Sequence, residues 1–383
     1  MELGPLELLV FQGTPFCNID CSYCYLPDRL NKRRISQDVV RSTLINLVNE
    51  NLIRGDFTVL WHAGEPLVMP IQFYEETFEL IQNSIPPEFK VLHSFQSNGL
   101  LINKAWCEFF KKHQVDLGIS IDGPEFIHDR NRKTRSGEGT FSKAIKATEL
   151  IKEYEMELHF ISVLTSFSCG YPETIYNFFK EIGAQSVAFN VEEVEGANTE
   201  SSFTHLPTAE KMVADFLRTI YRLNLANGEP LKIREIDWAK SRLLHSNLNP
   251  DDIVFTQLTG PYRTITVDYE GNFSTFSPEL IAQKKTIYGD FVLGNVLRDS
   301  FTTAASTSKF QHMYNDLVKG LAKCKSNCGY YGLCCGGTPS NKLSEQGTLD
   351  TDETQHCRLV FQTPIDTLLE MVGEEQKTVS NIY

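Results

Sequence analysis

The chain has 383 residues, 41% hydrophobic and 22% charged, which suits a globular protein of one large domain plus a smaller one. Its formal net charge of −13 and lack of any basic block argue against a nucleic-acid substrate, because phosphate binding favours a basic face. The start Met-Glu-Leu-Gly-Pro is no signal peptide and no apolar stretch approaches ~20 residues, so a cytoplasmic protein without a membrane partner is expected.

The apolar run at 6–12 predicts a first strand, which delivers the loop 13–29 at its C-terminal end. A helical pattern follows at 36–53, with Ser36 as N-cap and apolar residues at Val39, Val40, Leu44, Leu47 and Val48. Further strands are predicted at 57–62, 90–95, 115–121, 157–164 and 186–191. Between and after them the helical patterns fall at 71–85, 104–113, 141–154, 171–182 and 208–225. Six strand–helix units in succession imply an α/β fold with a parallel sheet and helices outside it; the pattern leaves open whether the sheet closes. Residues 1–228 form this unit, 229–260 bridge onward with a helix near 238–244, and 261–383 form a small cysteine-rich domain ending in a helix. Within it, 262–267 and 273–275 read as a hairpin around Tyr269-Glu270-Gly271-Asn272. The stretch 300–308 stands out only as rich in serine and threonine.

Ten cysteines in a cytosolic chain read as metal ligands rather than disulfides. Cys17, Cys21 and Cys24 lie in the loop 13–29 with the spacing C-x3-C-x2-C. Three thiolates can hold three irons of a [4Fe–4S] cluster and leave the fourth open for chemistry, whereas an electron carrier normally uses four. Zinc is the main rival, but a structural zinc site wants four closed ligands. In parallel α/β folds functional groups gather at the C-terminal ends of strands. Three such ends carry Ala63-Gly64-Glu65-Pro66, Gln96-Ser97-Asn98-Gly99 and Ser120-Ile121-Asp122-Gly123-Pro124. Each alone reads as a turn; together, behind a cysteine loop, they mark a pocket. Glu192, Glu193 and Glu195 follow the sixth strand, as an acidic mouth for a basic peptide or as a solvated loop. A second group, Cys324-x3-Cys328-x5-Cys334-Cys335 with Cys357, could bind a cluster or zinc. Cys335 is a spare thiol able to stand in for Cys334, and Cys107 and Cys169 read as ordinary buried cysteines.

The cysteine triad and strand-end motifs resemble those of radical S-adenosylmethionine (SAM) enzymes. That resemblance implies an open, partial (βα)6 barrel, with SAM bound by Tyr25, Gly64, Glu65, Ser97, Asn98, Ser120, Asp122 and Arg132. Gly64 and Glu65 would meet the SAM amino group, and Ser120 and Arg132 its carboxylate. Ala63 replaces the first glycine of the usual motif. The C-terminal region resembles a SPASM domain, which implies that Cys324, Cys328, Cys334 and Cys357 ligate an auxiliary [4Fe–4S] cluster. Phe276 and Thr338 stand where ligands of a further auxiliary cluster would be, so two clusters are expected in all.

The runs Cys328-Gly-Tyr-Tyr-Gly-Leu-Cys334, Gly336-Gly337-Thr-Pro-Ser-Asn341-Lys342 and Thr351-Asp-Glu-Thr-Gln-His-Cys357-Arg358-Leu359 resemble the cyclophane-forming peptide maturases of the glycine-rich-repeat type. Thr275–Leu280 and Asn190–Gly196 agree with that group. This resemblance implies a ribosomally made precursor peptide as substrate and an external one-electron reductant. An aromatic ring carbon would be joined to the Cβ of the residue two positions on. A base must then take a proton from the ring: Glu279 is the first choice, with Asp237 and Asp290 as alternatives. The rival is an anaerobic sulfatase-maturing enzyme, but the cysteine–aspartate pair expected after the hairpin is here Phe276-Ser277. A non-catalytic peptide binder with structural clusters is the reading from another class. No winged-helix leader-binding domain is expected, so the peptide would be gripped by the barrel mouth, the C-terminal domain or a separate protein.

Overall fold

The structure is a computed structural model that describes residues 1–380, with side chains as far as Gly373. The six predicted strands appear as Leu8–Gln12, Phe57–Trp61, Val91–Ser97, Asp116–Ser120, His159–Leu164 and Ser186–Val191, paired in that order and all parallel. Their helices are Gln37–Asn49, Ile71–Ser84, Lys104–His113, Phe141–Glu153, Pro172–Glu181 and Ala209–Ala226. The sheet is ten-stranded and open, ending at Lys232–Ile233 on one edge and Gly294–Asn295 on the other.

Lys104–His113 illustrates why these segments are helical. Asn103 caps it, its side chain accepting from the Trp106 amide at 3.2 Å, and Gln114 ends it in a left-handed conformation with φ 51°. Trp106, Phe109 and Phe110 fall on one face and are buried, at the spacing of neighbouring helical turns. They pack with Trp61, Tyr74 and Phe95 between sheet and helices, with Tyr74 and Phe95 centroids 4.9 Å apart. Full burial of each such side chain contributes roughly 1.5–3 kcal/mol.

The sheet runs past the predicted six units at both edges. Lys232–Ile233, inside the bridging stretch, adds in parallel to Ser186–Val191, and the helix that follows is Arg234–His245, longer than predicted. On the other edge Thr264–Asp268 pairs in parallel with Leu8–Gln12 through the register Leu8↔Thr264 to Gln12↔Asp268. The hairpin partner Asn272–Thr275 then runs antiparallel. Asp268 shapes the turn by accepting from the amides of Glu270 (2.8 Å) and Asn272 (2.9 Å), and Gly271 supplies φ +85°. The cysteine-rich region is therefore continuous with the barrel sheet.

The serine- and threonine-rich stretch has a local structural role. Ser300 caps Phe301–Ala305 through the Thr303 amide at 3.0 Å, and Thr307 caps Ser308–Asn327 through the Phe310 amide at 3.3 Å. The second of these, a 20-residue helix absent from the sequence prediction, carries Cys324 in its last turn and ends at Cys328. The terminal helix, Thr363–Ser380, packs on Ala209–Ala226 and Arg234–His245. No helix of the described residues is long and apolar enough to cross a membrane.

Candidate functional site

The strand ends converge on a cavity of about 320 Å³ at the C-terminal side of the sheet. Cys17, Cys21, Cys24, Tyr25, Gly64, Glu65, Ser97, Asn98, Ser120 and Arg132 all line it, as do Glu192, Glu193, Glu195 and Glu279. The cysteine loop is held from several sides. Cys21 sits in a two-residue strand paired with Arg132, the Cys17 amide donates to the Arg29 carbonyl at 3.1 Å, and Arg135 donates to the Cys17 carbonyl at 3.0 Å. The pairing of Asp20–Cys21 with Arg132–Lys133 was not legible in the sequence, yet it places the arginine beside the cysteines.

Glu65 is the most constrained carboxylate in the cavity. One oxygen accepts from the Leu67 amide (3.0 Å) and the Ser97 hydroxyl (2.8 Å), the other from the Asn98 amide (2.9 Å). Ser97 and Asn98 therefore hold the glutamate, and Asn98 also donates to Asn18 in the cysteine loop at 2.7 Å. Burial outweighs these donors and pushes the carboxyl up to about 7. Gly64 is required by space: a Cβ there would collide with the Thr14 and Phe16 carbonyl oxygens, and its φ is +61°. Ala63 also takes a left-handed backbone, φ 68°, which costs a non-glycine residue about 1–2 kcal/mol. Its replacement of glycine is thus a strained one.

Arg132 is buried, paired with Asp122 at 3.0 Å, while its Nε has no hydrogen-bond partner in the structure. Asp122 also accepts from the Tyr23 hydroxyl (2.5 Å) and the Val163 amide (2.9 Å), so it orients the arginine rather than facing the cavity. Ser120 accepts from Gln96 at 2.8 Å. Tyr25 shares a hydrogen bond of 3.0 Å with His62, a cavity residue the sequence reading missed although it directly precedes Ala63. Burial pulls the His62 imidazole down to about 4 and keeps it neutral.

The three base candidates separate. Glu279, in Pro278–Ala282, lines the cavity with Tyr25, Glu193 and Glu195, and burial, with Glu193 adding, pushes its carboxyl up to about 7. Asp237 lines an adjoining cavity of about 650 Å³ lower in the barrel, which shares His62, Gln96 and Ile161 with the first. Asp290 is half-exposed and paired with Lys309, which holds its carboxyl below the usual range. Ser277 is buried and accepts from the Ser340 amide at 3.2 Å. Phe276 is fully buried with its ring stacked on Phe310, centroids 6.2 Å apart.

The donor sets fit iron–sulfur clusters. Burial pushes the Cys17 thiol up to about 12, with Glu65 adding, and Cys21 to about 11 against the opposing charge of Arg132. Such thiols are poor nucleophiles, and a bound metal displaces their protons. In the second group burial, with neighbouring cysteines adding, raises the Cys324, Cys334 and Cys357 thiols. Cys335 sits at φ 56°, and burial raises its thiol while the charge of Arg242 lowers it. Among the described residues no three His, Cys, Asp or Glu side chains gather around a single-ion position. For SAM, Glu65 offers a buried carboxylate to an ammonium, while Ser120 and the unpartnered Arg132 Nε offer donors to a carboxylate.

Residues 11–182 match the Radical SAM superfamily. An uncharacterized protein of Synechocystis sp. is 39% identical, over 97% of this chain and 94% of that protein. The serine-type anaerobic sulfatase-maturating enzyme of Bacteroides thetaiotaomicron is 32% identical, over 94% of this chain and 88% of the enzyme. Among solved structures, native anSMEcpe with bound AdoMet and Cp18Cys peptide superposes with a TM-score of 0.77 at 23% identity, covering 98% of this chain and 99% of that one. Streptococcus suis SuiB bound to precursor peptide SuiA gives 0.64 at 15% identity, covering 92% and 76%. At these identities the two structures speak for the fold alone. The sequence relatives and the superfamily match establish that the chain belongs to the radical SAM family, as a homologue of the anaerobic sulfatase-maturating enzymes that uses SAM and [4Fe–4S] clusters.

Proposed function

We propose that the chain matures a ribosomally made precursor peptide, joining an aromatic ring carbon to the Cβ of the residue two positions on and closing a three-residue cyclophane. The supporting observation is the exchange of carboxylates beside the cavity. Ser277, where a sulfatase-type enzyme would carry its aspartate, is buried and bonded to Ser340, while Glu279 reaches the cavity with a carboxyl near neutrality. In this reading Cys17, Cys21 and Cys24 hold the SAM-binding cluster within the barrel of residues 1–228. Beyond the bridge at 229–260, Cys324, Cys328, Cys334 and Cys357 hold one auxiliary cluster in residues 261–383. Phe276, buried in apolar packing, leaves no ligand at its position for a further cluster. Clusters held by these cysteines, with SAM at Glu65, Ser120 and Arg132 and an external reductant, would supply the radical chemistry that removes one hydrogen atom from Cβ and a one-electron acceptor for the ring as it regains aromaticity. Glu279 takes the proton that leaves with that electron, so the peptide loses two hydrogens in all.

Co-expression with the peptide encoded beside the gene, followed by mass spectrometry, tests this reading. The expected product is lighter by two hydrogens, with fragmentation suppressed inside one three-residue aromatic segment. Two hydrogens lost from a single serine side chain, or a cysteine side chain that loses two hydrogens and exchanges its sulfur for the oxygen of water, leaving a formyl group in either case, would hand the function to the sulfatase-type reading that the 32% identical relative favours.

Glu65 gives the site a pH signature. Its carboxyl titrates near 7 when buried against about 4.5 ordinarily, so the SAM-free fold loses stability as pH rises between those values. Only the ionised form fully attracts the SAM ammonium. Affinity for SAM is therefore expected to rise about tenfold per unit as pH climbs towards about 7 and then level off. Titration calorimetry across that range checks it; Glu65→Gln should bind weakly with no such slope, and a flat wild-type profile would remove Glu65 from the ammonium.

A further inference from the structure

Lys342 lies in the helix Pro339–Gln346 and is 3% exposed. Its Nζ is 3.2 Å from the Cys324 sulfur. Cys324 is itself buried, with the carbonyl oxygens of Asp352 at 3.2 Å and Gly336 at 3.9 Å from its sulfur. Lysine is almost never fully buried without a partner, because removing an ammonium from water costs several kcal/mol unless a counter-charge meets it. Here no carboxylate pairs with it among the described residues; its hydrogen-bond partner is a cysteine sulfur, and Asp352 feels its charge from further off. A neutral thiol is a poor reason to bury a lysine. A thiolate that carries the charge of a cluster is a sufficient one.

We infer that Lys342 sets the reduction potential of the auxiliary cluster, holding it high enough to accept the electron released on ring closure. The inference rests on the proposed assignment of Cys324, Cys328, Cys334 and Cys357 to that cluster. Net charge and hydrogen bonds to the sulfurs are the levers by which a protein moves such potentials. A positive charge in contact with one thiolate stabilises the reduced cluster, which carries one more electron, over the oxidised one. The electron balance is complete: the ring radical is oxidised by one electron, the cluster is reduced by one, and the proton goes to Glu279. Lys342 touches neither peptide nor SAM in this scheme, and acts through Cys324.

The test uses the full chain with Cys17, Cys21 and Cys24 replaced by alanine, which isolates the auxiliary cluster. Iron content and midpoint potential, read by electron paramagnetic resonance during a redox titration, are compared for Lys342, Lys342→Met, Lys342→Gln and Lys342→Arg. Expected are about four irons in all four proteins. The Met and Gln variants should be harder to reduce by at least tenfold in the oxidised-to-reduced ratio, 59 mV for a one-electron couple, with Arg recovering most of the loss. An unchanged midpoint in a Met or Gln variant that keeps its iron would overturn the role. Loss of iron in both would make the lysine a structural prop and overturn it equally. Absence of iron while Lys342 is intact would instead sink the cysteine assignment, and the lysine's role with it.

Discussion

Anaerobically reconstituted protein with Cys17, Cys21 and Cys24 all replaced by alanine is expected to carry about four irons in place of about eight, and to form no 5′-deoxyadenosine. The three cysteines share one cavity with Glu65, Ser120 and Arg132, whereas the C-terminal cysteines stand on separate helices: the end of Ser308–Asn327, the short helix Tyr331–Cys334, and Gln355–Cys357. Loss of one group should therefore leave the other filled. Cys334→Ala should cost the second cluster while Cys335→Ala should not, because the charges of Cys324 and Cys328 act on the Cys334 thiol and that of Arg242 on the Cys335 thiol. Iron and acid-labile sulfide analysis decides the matter. A wild-type value near twelve would mean that a further auxiliary cluster is held by residues other than those named, and retention of eight in the triple variant would refute the triad.

The second large effect concerns the proton. Glu279→Gln is expected to cleave SAM and exchange hydrogen with the peptide at the wild-type rate, yet to form cross-link about 100-fold or more slowly, roughly 3 kcal/mol in barrier. Glutamine keeps the shape of the side chain but cannot accept the proton. Because burial pushes the Glu279 carboxyl up to about 7, the wild-type yield should also fall as pH drops below that value, where the base is already protonated. Asp290→Asn should leave cross-linking unchanged, since Asp290 is half-exposed and occupied by Lys309. Asp237→Asn reports on the adjoining cavity and should have an effect smaller than that of Glu279→Gln. Full cross-linking by Glu279→Gln would exclude the glutamate as base. Liquid chromatography with mass spectrometry separates the three readouts in one reaction.

Much of the barrel was legible because its signals are local. An apolar run and a one-sided helical face recur six times, Ser36 and Asn103 add side-chain caps, and Asn103 with Trp106, Phe109 and Phe110 shows how few residues are needed. The helices Phe301–Ala305 and Ser308–Asn327 escaped notice although their N-caps were in view. Ser300 and Thr307 read as composition until the amides of Thr303 and Phe310 are seen bonded to them. A hydroxyl before a helix and a hydroxyl in a loop look alike until the apolar face behind it is recognised. The extension of the sheet by Thr264–Asp268 could not be read at all. Parallel pairing with Leu8–Gln12 joins residues far apart in the chain, and nothing local encodes the partner.

The same division holds at the site. By itself the sequence determined the donor chemistry: three thiols on one loop, a carboxylate after Gly64, a hydroxyl at Ser120, and five further cysteines near the C-terminus. These follow from residue type and short spacing, which survive in one dimension. Only the tertiary structure decided which groups share a cavity and in what electrostatic state. The two-residue ladder between Cys21 and Arg132 brings the arginine to the cysteine loop, and Asp122 turns out to orient that arginine rather than face the cavity. Glu279, Asp237 and Asp290 are alike as letters. They differ because one is buried beside Glu193 in the cavity, one lines the space beneath it, and one lies at the surface beside a lysine. Desolvation and neighbouring charge set what a carboxyl can do, and both are properties of the packed chain.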